Sequence, residues 1–260
     1  MADENDTGVP VKDGKVVGRL GRVYGRKADI GDLRDKVFSA PLGVSLPRTI
    51  DLSPKCTPIE DQGALGSCTG HAYGALLEFI TGNKELSRLF IYWWERYLEG
   101  DVNQDGGAMM RTGAKVCATY GSSLETLWPY QINKFKAKPS VAAVTDGLKH
   151  KAKTYLSVRG LSAMKNCLAQ GYPYAIGISV YDSFESDDVA KTGAVPMPDP
   201  SKESLLGGHA ICVVGYDDLK QAFKCRNSWG KGWGQAGYFW LPYSFMGNTT
   251  LASDGWTLRS

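Results

Sequence analysis

Apolar residues recur three and four positions apart through Cys68 to Thr81, Ser87 to Leu98, Ala108 to Thr119 and Leu161 to Gln170, the spacing that turns one helix face to a core. Gly82 is placed to end the first helix and Ser87 to cap the second. Later the rhythm shortens, and Tyr174 to Val180, His209 to Tyr216, Ala222 to Asn227 and Gly237 to Leu241 read as strands rich in β-branched and aromatic residues. Helices first and strands later predict an α+β fold of two lobes with a cleft between them. The helical lobe covers about 60–152, and the β lobe about 49–59 and 153–260. A polar stretch follows Tyr130, and Glu185 to Leu206, with Pro196, Pro198 and Pro200, reads as a long loop on the cleft rim. Residues 1–48 form a separate extension, with five basic and no acidic residues between Lys15 and Lys27 and one helix-like stretch around Asp32 to Phe38.

Composition narrows the classes. A chain of 260 residues with 43% hydrophobic content can bury a large core. Its 30 basic and 27 acidic residues leave +3, too near neutral to argue for a nucleic-acid partner. No apolar run approaches the ~18–20 residues of a membrane span, and the acidic start at Met1 to Asp6 is unlike a signal peptide, which favours the cytoplasm. Three histidines and no cysteine–histidine cluster at ligand spacing give no reason to expect a metal or cofactor.

Cys68 stands at the start of the first predicted helix, after the run Gln62-Gly-Ala-Leu-Gly-Ser67. A free thiol ionises near ~8.5, so at neutral pH it attacks a carbonyl well only where something stabilises the thiolate. The open N–H groups of a helix N-terminus do this, and an imidazole within reach can take the proton. Gly208-His209-Ala210 supplies an imidazole, and Asn227-Ser-Trp-Gly-Lys-Gly-Trp-Gly234 an amide able to fix the other ring nitrogen. Together the three groups suffice for acyl transfer.

Taken in order with Gly106-Gly107 and Gly237-Tyr238, these runs resemble the papain/cathepsin family of cysteine peptidases, most of all its compact bacterial members of the xylellain type. The offsets from Cys68 are 209 − 68 = 141 and 227 − 68 = 159, against about 130–150 in the family, so the asparagine lies slightly beyond. The resemblance implies a papain-like fold with a barrel-like antiparallel sheet lobe, and peptide or protein substrates. It implies Cys68 as nucleophile, His209 as base and then acid, Asn227 orienting His209, and Gln62 with the Cys68 N–H in the oxyanion hole. Trp229 and Trp233 would shield the Asn227–His209 bond. Gly106 and Gly107 would pair with substrate backbone, and Ala108, Met109, Gly177 and Gly208 would line the main specificity pocket. With no carboxylate in that set, an apolar residue is expected two positions before the cut. Family prosegments are usually longer and helical, so residues 1–48 read either as a short cleft-restraining arm or as a disordered or surface-packed one.

The chain also departs from the family pattern. Thr69 replaces the usual tryptophan after the nucleophile, and Leu65 and Gln104 replace both halves of a usual disulfide. Cys56, Cys117, Cys167, Cys212 and Cys225 read as reduced structural thiols, Cys56 being the most open to pairing. His71 fits a core-facing helix position, and His150, among lysines, a solvated one. Trp93, Trp94 and Tyr97 read as helix packing. Besides the peptidase, two readings stay open: an amidase or transferase with the same Cys-His-Asn chemistry, and a binding protein with an unused site.

Overall fold

The computed structural model describes residues 11–12, 15–19, 21–39, 43, 45–82 and 84–260, with backbone only over 11–16. The acidic start at Met1 to Asp6 lies outside the described residues. Its strands are β1 (Val11–Lys12), β2 (Lys15–Val16), β3 (Arg26–Lys27), β4 (Thr49–Asp51), β5 (Ala108–Met109), β6 (Thr154–Val158), β7 (Tyr174–Tyr181), β8 (Leu205–Asp217), β9 (Ala222–Arg226), β10 (Tyr238–Pro242) and β11 (Ala252–Arg259). The helices are α1 (Cys68–Thr81), α2 (Arg88–Glu99), α3 (Met110–Thr119), α4 (Val141–Gly147), α5 (Leu161–Ala169), α6 (Asp187–Thr192) and α7 (Tyr243–Met246).

α1, α2 and α3 pack on one another, and the buried side of α1 lies against β8. One antiparallel sheet runs in the order β10-β9-β8-β7-β11-β6, and β4 takes the edge of β8 beyond the end of β7. This is the two-lobed α+β arrangement that the order of periodicities predicts. The Ser87 hydroxyl caps α2 by accepting the Phe90 N–H at 3.1 Å, and Gly82 closes α1 at φ 99°, in the left-handed region that glycine enters freely. Among the described residues no helix is long and apolar enough to cross a membrane.

Where the structure departs from the sequence reading, pairing over long distances or an unnoticed cap decides. Ala108 and Met109 are extended rather than helical because they pair in parallel with Arg26 and Lys27. The polar stretch after Tyr130 contains α4, capped by Ser140. The long loop before His209 contains α6, capped by Ser186, and its end is already β8, since Leu205 to Gly208 pair with β7. Around Asp32 there is a turn instead of a helix. The Asp32 carboxylate accepts the Arg34 N–H at 2.9 Å, Leu33 is exposed, and Phe38 leaves the turn to donate its N–H to Ser157.

His150 is buried rather than solvated, with Nε2 3.7 Å from Asp146 at the end of α4. The aromatic pair on α2 packs as expected, Trp94 stacking on Tyr120 at 3.8 Å. All six cysteines are free thiols. In the place of the usual disulfide, Leu65 packs with Leu89 and Tyr92 against Trp128, Tyr130 and Phe135.

Candidate active site

The sheet brings His209 and Asn227 together by register. Cys212 on β8 lies opposite Arg226 on β9. One step further, Asn227 falls level with residue 211, and 209 lies two positions along on the same face, within diagonal reach. The His209 Nε2 is 2.9 Å from Asn227 Oδ1, which leaves Nδ1 for the cleft. Trp229 covers the pair, its ring 5.3 Å from that of His209 at 36°. Trp233 stands behind Trp229 at 5.1 Å and packs on Phe184 and Phe239, so it backs the shield rather than touching the histidine.

Cys68 is the first residue of α1 and wholly buried. Ser67 leaves the helix end uncapped, its hydroxyl lying 2.6 Å from that of Tyr130, and the N–H groups of Thr69, Ala210 and Gly25 point at the sulfur. Burial still dominates, pushing the Cys68 thiol up to about 11 and the His209 imidazole down to about 4. Both are therefore neutral at pH 7 in this covered state. Gln62 is tied across the cleft: its Nε2 donates to Leu65 O at 3.0 Å, and its Oε1 accepts from the Ser228 hydroxyl at 2.7 Å. His71 turns away from this set, its Nδ1 3.0 Å from Ser67 O and its ring edge-on to Tyr130 at 4.8 Å.

Thr69 points into the helical lobe, where its hydroxyl donates to Glu95 at 2.7 Å. Burial pushes the Glu95 carboxyl up to about 8, so the folded protein holds a proton there that the unfolded chain releases near ~4.3. Stability from this group is full below the unfolded pKa and is lost as pH rises through about 8. Glu95→Gln is expected to remove that slope, at most ~1.4 kcal/mol per pH unit. Urea denaturation at pH 5 and pH 8 checks it, and an equal loss on raising pH in both proteins contradicts it.

Residues 22–27 run along the cleft. Tyr24 sits edge-on to His209 at 6.1 Å and donates its hydroxyl to Glu185. Gly25 lies at the thiol, with its oxygen accepting the Ala108 N–H at 2.8 Å. A Cβ on Gly107 (φ 72°) would come within 1.6 Å of that oxygen, so the residue facing the chain in the cleft must be glycine. Gly106 faces Asp101 instead, and Met109 lines an outer groove with Lys27 and Arg111. Arg26 lies over Gly177 and Gly208 and reaches Ser253 and Asp254. Arg19, Arg22, Arg26 and Lys27 each meet carboxylates: Asp187, Asp61, Asp254, and Glu99 with Asp101.

Sequence reasoning missed Asp254, Glu185 and Asp105. Asp254, in a strand whose polar start hid it, meets Arg26 beside Gly177 and Gly208. Asp105 occupies the region of the missing disulfide, accepting the Gly66 N–H at 3.0 Å and the Tyr92 hydroxyl. It thereby ties the Gly106 loop to the turn before Cys68. Only the acidity of the run Asp101 to Asp105 could have hinted at it.

Residues 46–255 match the model of the papain family cysteine proteases. An uncharacterized peptidase C1-like protein of Acanthamoeba polyphaga mimivirus is 38% identical over 227 residues, covering 82% of this chain and 73% of the viral protein. Human cathepsin L2 is 28% identical over 223 residues, 79% of this chain and 63% of the cathepsin. Among solved structures, xylellain, a cysteine protease from Xylella fastidiosa, superposes with a TM-score of 0.86 at 37% identity, covering 91% of this chain and 96% of xylellain. With the fold, the order of the motifs and the matched span in agreement, the chain belongs to the papain family of cysteine proteases.

Proposed function

We propose that this cysteine peptidase is an endopeptidase that cuts through a thioester at Cys68 and is restrained by its own N-terminal arm. The observation that carries the reading is the His209–Asn227 bond beneath Trp229, beside a cysteine at an uncapped helix start whose sulfur meets the N–H of Ala210, the neighbour of His209. His209 Nδ1 takes the thiol proton, and the sulfur adds to the scissile carbonyl. The resulting oxyanion is met by the Cys68 N–H and the remaining Gln62 Nε2 hydrogen, donors of a kind whose removal costs ~10²–10³ in turnover. His209 then gives its proton to the departing amine, and Asn227 holds the ring plane throughout. Water deprotonated by His209 cleaves the thioester and regenerates the thiol.

The arm fits a restraining role. Its β3 runs parallel to β5, and Tyr24 on the His209 side precedes Gly25 at the thiol and Arg26 in the pocket. A substrate must run the other way, because its leaving amine has to receive a proton from His209. The arm thus offers the sulfur an N–H instead of a carbonyl carbon, which explains how it lies on the nucleophile uncut.

Covalent labelling by an epoxysuccinyl peptide, read by mass spectrometry, tests the reading. In a chain carrying Tyr24→Ala and Arg26→Ala, which releases the arm from the cleft, modification is expected at Cys68 and is expected to vanish when His209→Ala is added, while peptide digests show cleaved products. Labelling that survives His209→Ala would refute the assigned chemistry.

A further inference from the structure

The pocket beside Gly177 already holds an arginine. A Cβ on Gly177 would stand 2.1 Å from Arg26 Nε, and one on Gly208 would meet Arg26 Cδ at 3.1 Å and its carbonyl oxygen at 2.6 Å. Two glycines therefore leave the volume that a long, flat cation needs. At its end Arg26 Nη2 donates to Ser253 Oγ at 2.6 Å and pairs with Asp254.

Asp254 is held there against local preference. Its φ is 60°, in the left-handed region, and it sits where the β7–β11 register slips between Ser253 and Trp256. A bulge of this kind re-aims a side chain, and aspartate is among the few residues besides glycine that tolerate the conformation. The Asp29 N–H, at 3.1 Å, orients the same carboxylate oxygen. Side chains on the neighbouring cleft wall are also acidic: Glu99 and Asp101 each stand 2.9 Å from Lys27 Nζ.

The arm also indicates which substrate position this pocket reads. Gly25 lies at the thiol, and Arg26, the next residue along, fills the pocket. A substrate running in the opposite direction places the second residue before the cut in the same space. Resting on the peptidase reading above, we infer that Asp254 makes this pocket a receptor for arginine or lysine, so that the enzyme takes basic peptide segments and its arm imitates one. This replaces the apolar residue expected from the sequence.

The test uses the full-length Arg26→Ala chain, whose pocket is vacated, with two dipeptidyl aminomethylcoumarins, Arg-Arg and Leu-Arg. A charge-assisted pair with a partly buried carboxylate is worth about tenfold or more in affinity. Arg-Arg is therefore expected to show at least a tenfold higher kcat/KM, chiefly through KM. Adding Asp254→Asn, which keeps the left-handed backbone and an oxygen for the Asp29 N–H, is expected to bring the ratio within about twofold. Preference for Leu-Arg in the Arg26→Ala chain overturns the inference and leaves Asp254 as an anchor for the arm alone; this outcome does not depend on how Asp254→Asn folds. Absence of Arg-Arg cleavage also overturns it, and only if Cys68 labelling is lost as well does the peptidase reading fall with it.

Discussion

Substituting alanine for Tyr24 and Arg26 together is expected to raise the rate of Cys68 alkylation by iodoacetamide at pH 7 by about 20-fold or more. In the covered cleft, burial holds the thiol near about 11 and keeps His209 neutral. Tyr24 closes the His209 side through Glu185, and Arg26 closes the pocket side through Asp254. Removing both anchors admits water. A return of the thiol to its free value near ~8.5 multiplies the thiolate at pH 7 by roughly 300, and the weaker nucleophilicity of the more acidic sulfur returns about half of that on a logarithmic scale. Pairing with protonated His209 adds to the gain. The pH profile carries the sign: alkylation of the unsubstituted chain keeps rising through pH 9 and 10, while the variant levels off near ~8.5 or below. Peptide mapping must follow Cys68 alone, since five other free thiols are present. Equal rates and superimposable profiles would show that the arm does not govern the thiol.

Much of the candidate site is legible in the sequence because each part rests on a local cause. Cys68 at a helix start follows from periodicity and the glycines before it, and the alternation in β8 and β9 carries His209 and Asn227 into register. The arm and the pocket acid are different. Residues 22–27 have no apolar rhythm, and they are held by ion pairs with partners from Asp61 to Asp254, which no short window of sequence contains. β11 escaped notice for a related reason. Its start, Ala252-Ser-Asp-Gly255, is polar and bulged, so alternation is visible only in the short run after it. Thr69 stands where the family has a tryptophan, and its hydroxyl is turned inward to Glu95, a contact with another helix that no local pattern announces.

The missing disulfide leads to the largest expected change in stability. Arg96 is fully buried on α2 and stacks over Tyr92 at 4.2 Å. Its guanidinium donates to Tyr92 O at 3.2 Å, Val102 O at 2.7 Å, Gln104 O at 3.2 Å and Phe135 O at 2.5 Å. It thus gathers the backbone around Gln104, where the family's half-cystine would stand, while Asp105 secures the same loop to Gly66. Arg96→Met fills a similar volume and relieves the cost of burying a cation, which taken alone would stabilise the fold. The carbonyls of Val102, Gln104 and Phe135 remain, however, in part-buried bonds, and each acceptor left unpaired costs up to ~1–3 kcal/mol. That term wins, and a net loss of about 3–4 kcal/mol is expected, a fall of roughly 1–1.5 M in the urea midpoint. Arg96→Lys retains the charge but lacks the planar fork that reaches diverging carbonyls, so it is expected to recover less than half of the loss. If Arg96→Met costs under ~1 kcal/mol, the loop is held by Asp105 and the Leu65 cluster, and the guanidinium does not stand in for the disulfide.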